Sequence, residues 1–203
     1  MSARSGRVIY AAHPSSDFFT PAPLRVLARE ILGSIDLDPA TSARNPLGAR
    51  AFYTRGALER DWTEHRPRTI FMNPPYGLGI RAWLFKLIAT VTVLRARALV
   101  LVPARPGARW YGAATDPLRP DAAQLLCELR GRVVFEDPHG NPLRDKDGRK
   151  SGARWGSTLL YWGPDRAAVA RALRAHGVVR LGPAYPFKPA PIIDRRQLRI
   201  VGS

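Results

Sequence analysis

The short apolar run Thr69-Ile70-Phe71-Met72 passes straight into Asn73-Pro74-Pro75-Tyr76-Gly77, and this junction constrains the chain more than any other segment. The run reads as a strand, and the two prolines stop it and stiffen the turn that follows. A stiff turn lets the Asn73 side-chain carbonyl and the Pro74 main-chain carbonyl converge on one point. Tyr76 adds an aromatic face beside them. N-P and P-P pairs also mark ordinary turns, so the tetrapeptide by itself leaves a purely structural reading open.

The flanking sequence supplies the elements a fold needs. Leu24, Leu27, Ala28, Ile31 and Leu32 share one helical face, with Thr20 expected as N-cap, Pro21 at the first helical position and Gly33 as the stop. Ile35–Asp38 reads as a short strand ending in Pro39-Ala40. Residues 41–60 read as loop, with Phe52-Tyr53 the obvious buried pair. Trp83, Leu84, Leu87, Ile88, Val91 and Leu94 recur at helical spacing, and Ala98–Val102 is a continuous apolar run suited to a central strand. Gln124–Glu128 fits strand or helix. Val133–Phe135 and Thr158–Trp162 read as strands joined by a polar excursion, and Pro164 opens a last helix stopped at Gly177. Strands alternating with helices imply an α/β fold with a mostly parallel sheet and antiparallel strands toward the C-terminus. The expected layout is a basic arm over residues 1–16, one domain over 17–178 and a Pro-rich basic tail over 179–203.

Composition narrows the partners. The net charge is +16, carried by 28 arginines and four lysines. A GC-rich coding sequence explains arginine over lysine but not a twofold excess of basic over acidic residues. Such a charge points to a polyanion, and arginine suits phosphates and guanine edges. Within 136–156, Arg144, Lys146, Arg149, Lys150 and Arg154 are candidates for contact with a nucleic-acid backbone; the interspersed Asp137, Asp145 and Asp147 equally suit a solvated hairpin tip. Arg105, Arg109 and Trp110 follow the central strand and join the same candidate surface. One cysteine, Cys127, excludes an internal disulfide and reads as a packing residue; four scattered histidines suggest no metal site. No apolar run approaches the roughly 20 residues that span a bilayer, and the N-terminus carries no signal-peptide core, so a cytoplasmic protein is expected.

In open α/β sheets ligands sit beyond the carboxyl ends of the strands. Asp36, Asp38 and Pro39, then Asp61, then Asn73 and Pro74 are the polar candidates there. The convergent carbonyls suit an exocyclic amine on a nucleic-acid base. Such an amine is a poor nucleophile because its lone pair is delocalised into the ring, so acceptors aimed at its hydrogens activate it. Tyr76 then offers a stacking face for an extruded base.

Read together, D-F-F-T-P, I-D-L-D-P-A, F-M-N-P-P-Y-G, L-V-L-V-P-A-R and G-S-T-L-L-Y-W-G resemble the phage-type DNA adenine-N6 methyltransferases, small S-adenosylmethionine-dependent enzymes of phages and prophages. The resemblance spans roughly residues 17–163. It implies a Rossmann-like methyltransferase sheet, S-adenosylmethionine as cofactor and double-stranded DNA as partner, in a bacterial or phage-infected cell. It also implies that Thr20 and Pro21 hold the methionine end of the cofactor, that Asp36, Asp38, Pro39 and Ala40 form its strand-end site, and that Asp61 contacts its adenine. Asn73, Pro74, Pro75 and Tyr76 match the catalytic turn. Related enzymes acting on RNA, on cytosine N4 or on protein glutamine share N-P-P-Y, and a catalytically idle DNA-binding module is the reading from another class. The chain departs from the usual pattern after Asp38-Pro39-Ala40, where no Gly-x-Gly follows and the first glycine is Gly48.

Overall fold

A computed structural model describes residues 19–77, 79–137 and 139–184. The basic arm, Asp17 and Phe18, and the tail beyond residue 184 lie outside the described residues. Along the described chain run α1 (Ala22–Leu32), β1 (Leu37–Asp38), β2 (Ala51–Phe52), β3 (Thr69–Met72), α2 (Ile80–Leu94), β4 (Arg97–Pro103), α3 (Arg109–Thr115), β5 (Leu125–Leu129), β6 (Ser157–Trp162), α4 (Arg166–Arg174) and β7 (Gly177–Leu181). The strands form one sheet in the order β2-β1-β3-β4-β6-β5-β7. The first four are parallel. β6 is antiparallel to β4 and β5, and β7 to β5. This is the α/β architecture expected from the sequence, with its antiparallel part at the C-terminal end.

The apolar pattern explains the layering. Ala98–Val102 of β4 are all buried, as a strand covered on both faces requires. Alternate residues of β3 and β4 serve opposite faces. Phe71, Leu99 and Leu101 meet Leu27, Ala28, Ile31 and Leu32 of α1. Ile70, Met72, Ala98, Val100 and Val102 meet Leu84, Leu87 and Val91 of α2.

Several local expectations are corrected. α1 begins at Ala22 with Pro21 as its cap residue, not Thr20, and no side chain of the cap residue closes its end. Gly33 stops the helix as expected, in a positive-φ conformation (75°) whose N–H donates to the Arg29 carbonyl at 2.8 Å. Phe52 is exposed because β2 is an edge strand, so Phe52-Tyr53 is not a buried pair. Val133–Phe135 does not join the main sheet. It pairs within the excursion instead, through a single bridge from Val134 to Gly152 and through the Val133 and Phe135 carbonyls, which accept the Ala153 and Leu143 N–H groups at 2.7 and 2.8 Å. α4 ends at Arg174, and Gly177 opens β7, a strand the sequence reading missed. Gln124–Glu128 resolves as strand, and Cys127 is buried in the core.

The topology fixes where a ligand goes. From β1 the chain moves outward to β2, then crosses back to β3 on the other side of β1. Strand order therefore reverses between β1 and β3, and the crevice beyond their carboxyl ends is the position open sheets use for binding. The segments that end there are Asp38-Pro39-Ala40 and Asn73–Tyr76.

Candidate active site

β3 is held between β1 and β4 by the pairings Leu37–Ile70 and Met72–Val100, which deliver Asn73 to the edge of the sheet. Pro74 is buried, Asn73 and Pro75 are half-buried, and Tyr76 is 38% exposed. Neither the Asn73 amide nor the Pro74 carbonyl hydrogen-bonds to a described residue. Both therefore have hydrogen-bonding capacity left for water or a ligand. The Tyr76 ring lies edge-on to Phe135, with centroids 5.9 Å apart and planes at 74°. Desolvation raises its hydroxyl pKa well above the ordinary value. A phenol held above its ordinary pKa stays protonated at neutral pH, so Tyr76 is uncharged there.

The acidic candidates separate. Asp38 is 2% exposed, accepts the Ala40 N–H at 3.2 Å, and forms no ion pair among the described residues. Burial pushes its carboxyl up to about 7, against the smaller opposing effects of the Ala40 N–H and the Thr41 hydroxyl. Asp36 is committed elsewhere. Its carboxylate accepts the Arg68 N–H at 2.8 Å and lies 3.6 Å from Arg50. Arg68 immediately precedes β3, so this carboxylate braces the amino end of the sheet, away from Asn73. Asp61 sits on an exposed turn and takes both the N–H and the hydroxyl of Thr63 at 2.8 Å; those bonds hold its carboxyl below the usual range.

Asp38 should make the stability of the protein depend on pH. Its unfolded pKa is about 3.9. Because the folded value is higher, the native state binds the proton more tightly, and stability is greatest below the unfolded value. It falls as pH rises from about 4 to about 7 and is flat above. Asp38→Asn removes this component, so the melting-temperature difference between the two proteins should shift in favour of the variant from pH 5 to pH 8. Parallel melting curves across that range would refute the assignment.

The Thr20-Pro21 segment is anchored by a residue the sequence did not flag. Phe19 and Glu136 exchange backbone hydrogen bonds at 2.9 and 3.0 Å. The Glu136 carboxylate then accepts the Ala22 N–H at 2.8 Å and pairs with Arg25 at 2.6 Å, while Arg25 also donates to the Thr20 carbonyl. Glu136 thus caps α1 from 114 residues away in sequence. The loop lacking Gly-x-Gly is built differently too. Asn45 takes a positive φ (44°), and its amide both donates to and accepts from Ala49, at 2.8 and 2.9 Å. Asparagine tolerates that backbone and clamps it, which replaces part of what glycine supplies.

The basic candidates fall into three places. Arg144, Lys146, Arg149 and Lys150 are exposed on the tip of the 136–156 excursion, whose turns are closed by Asp137 and Asp145 accepting main-chain N–H groups. Arg109 is exposed on α3, whereas Trp110 is half-buried and packs edge-on to Tyr111 at 5.5 Å. Arg105 and Arg154 both lie over Trp155. The excursion is rooted at the site, since Phe135 touches Tyr76 and Glu136 holds α1. A recess of about 420 Å³ lined by Arg50, Ala51, Phe52 and His65 lies along the β2 edge, apart from Asn73. Among the described residues, no group of three or more His, Cys, Asp or Glu is placed to hold a metal, and no helix is long and apolar enough to cross a membrane.

No curated protein matches the chain. The family model of DNA N-6-adenine-methyltransferase (Dam) matches residues 12–172, a stretch that runs from before α1 into α4 and takes in Asn73–Tyr76, Asp38–Ala40 and the whole basic excursion. The chain therefore belongs to the DNA N-6-adenine-methyltransferase family.

Proposed function

We propose that this protein transfers a methyl group from S-adenosylmethionine to the N6 amine of an adenine extruded from double-stranded DNA. The observation that carries the reading is the pair at the switch point, the Asn73 amide and the Pro74 carbonyl, which have no hydrogen-bond partner among the described residues, with the partly exposed Tyr76 beside them. The site suits the cofactor by its chemistry: a buried carboxylate with no cation partner among the described residues, Asp38, lies at the neighbouring strand end and favours a ligand that brings hydroxyl or ammonium donors. Thr20, Pro21, Asp38, Pro39 and Ala40 would hold S-adenosylmethionine. When bound, it supplies an electrophilic methyl group. Asp36 is left out because both of its oxygens are engaged, by the Arg68 N–H and by Arg50, whereas Asp61 bonds Thr63 through one oxygen and keeps the other for the cofactor's adenine.

The protein's own residues do the rest. Tyr76 stacks on the extruded base and fixes its plane. Asn73 and the Pro74 carbonyl accept the two amine hydrogens, which draws the nitrogen lone pair out of conjugation and aims it. Orientation and prepositioned acceptors, rather than prior removal of a proton, lower the barrier. The proton leaves the nitrogen after transfer, to water.

Incubating the full chain with duplex DNA and methyl-labelled S-adenosylmethionine, then digesting to nucleosides, should yield labelled N6-methyladenine. Label confined to N4-methylcytosine, or absent at saturating cofactor, defeats the proposal. Tyr76→Phe should keep most activity. Tyr76→Ala should lose roughly 10- to 100-fold, since stacking a base on an aromatic ring is worth about 1–3 kcal/mol.

A further inference from the structure

Trp155 stands just before β6, at the edge where β4 ends, and is 44% exposed. Two guanidinium groups gather on its ring: that of Arg105, 4.7 Å from the centroid, and that of Arg154, at 5.4 Å. The two segments are locked together by the Ala104 N–H donating to the Gly156 carbonyl at 2.7 Å. Neither guanidinium forms an ion pair or a hydrogen bond with a described residue. Two like charges drawn to one ring repel each other, and no described carboxylate pairs with either. This arrangement is one an anion completes. Its position limits which anion: β4 pairs through Val100 with Met72 and through Pro103 with Ser157, so the cluster lies on the same edge of the sheet as Asn73, two strand spacings (about 10 Å) to the side and further out along the strands.

We infer that Arg105 and Arg154, held by Trp155, form a clamp for the DNA backbone phosphates beside the extruded adenine. The two arginines bind the phosphates, and Trp155 is a positioning residue that keeps both guanidiniums raised and ordered. The inference rests on the DNA-methylation reading but is tested without methylation.

The test is fluorescence anisotropy of a labelled DNA duplex with the full chain over a range of salt concentrations. Each lost phosphate contact lowers the slope of log affinity against log salt by about 0.9, so R105Q/R154Q should reduce it by about 1.8. W155L leaves the net charge unchanged, and should nevertheless lower both the slope and the affinity, whereas W155F restores them. Thermal melts confirm that each variant is folded. A wild-type slope in R105Q/R154Q overturns the clamp, and a wild-type slope in W155L overturns the role of the ring. A wild-type protein that binds no duplex at all defeats the DNA reading beneath both, a result distinct from either failure of the clamp.

Discussion

Asn73→Ala should reduce methyl transfer by about 10²- to 10³-fold while leaving the fold intact. The size follows from the role: a single prepositioned polar group acting on charge that develops in the transition state is worth about that much in kcat. The small effect on folding follows from the structure, because the amide is half-buried and hydrogen-bonds to no described residue. Stability should therefore change by less than about 0.5 kcal/mol. Asn73→Asp sharpens the comparison. It keeps an acceptor oxygen but loses the NH2 donors, so it should retain more activity than Ala if the carbonyl is the working atom. Initial rates with labelled cofactor, set beside melting temperatures, read both effects. Transfer by Asn73→Ala within about tenfold of wild type would remove Asn73 from the reaction.

The parts of the fold visible in the sequence were those governed by local pattern. Ala98–Val102 reads as a central strand because it is apolar throughout, and the structure buries every residue of it. Gly33 reads as a stop because it alone tolerates the backbone needed there. β7 was not visible: Gly177-Val178-Val179-Arg180-Leu181 is short and follows a glycine that also serves as a helix stop. Its strand character comes from pairing with β5, a contact about 50 residues away. Val133–Phe135 shows the converse. Its β-branched, aromatic composition suits a strand, but its pairing partners lie inside the excursion, and composition does not encode the partner.

The site divides along the same line. Asn73–Tyr76 stands out in the sequence as a candidate because rigid backbone, acceptor and ring are contiguous. Asp36 and Asp38 looked equivalent in sequence, two residues apart on one strand. Only the register shows that Asp36 meets the Arg68 N–H at one end of the sheet while Asp38 begins the turn at the other. Trp155 was hidden because its significance lies in Arg105, fifty residues earlier.

Glu136→Ala should destabilise the protein by about 3 kcal/mol, lowering the melting temperature by roughly 6–12 °C. Both Glu136 and Arg25 are largely shielded from water, with side-chain exposures of 11% and 19%. Removing the carboxylate strands the Arg25 cation and deprives the first turn of α1 of the acceptor for the Ala22 N–H. Glu136→Gln keeps an acceptor for that N–H but loses the charge, so it should fall between. The origin of the loss can be separated by a second change. If it comes mainly from a stranded cation, Glu136→Ala combined with Arg25→Met should be more stable than Glu136→Ala alone, because an apolar side chain has no charge to strand. Urea unfolding of the four proteins measures this directly. Glu136→Ala should also weaken S-adenosylmethionine binding in calorimetry: the Phe19–Glu136 main-chain pairing survives, but the carboxylate that holds the Ala22 N–H and Arg25, next to Thr20 and Pro21, is gone. A Glu136→Ala protein as stable as wild type would show that α1 is capped without Glu136, and unchanged cofactor affinity would show that the Glu136 carboxylate does not support the cofactor site.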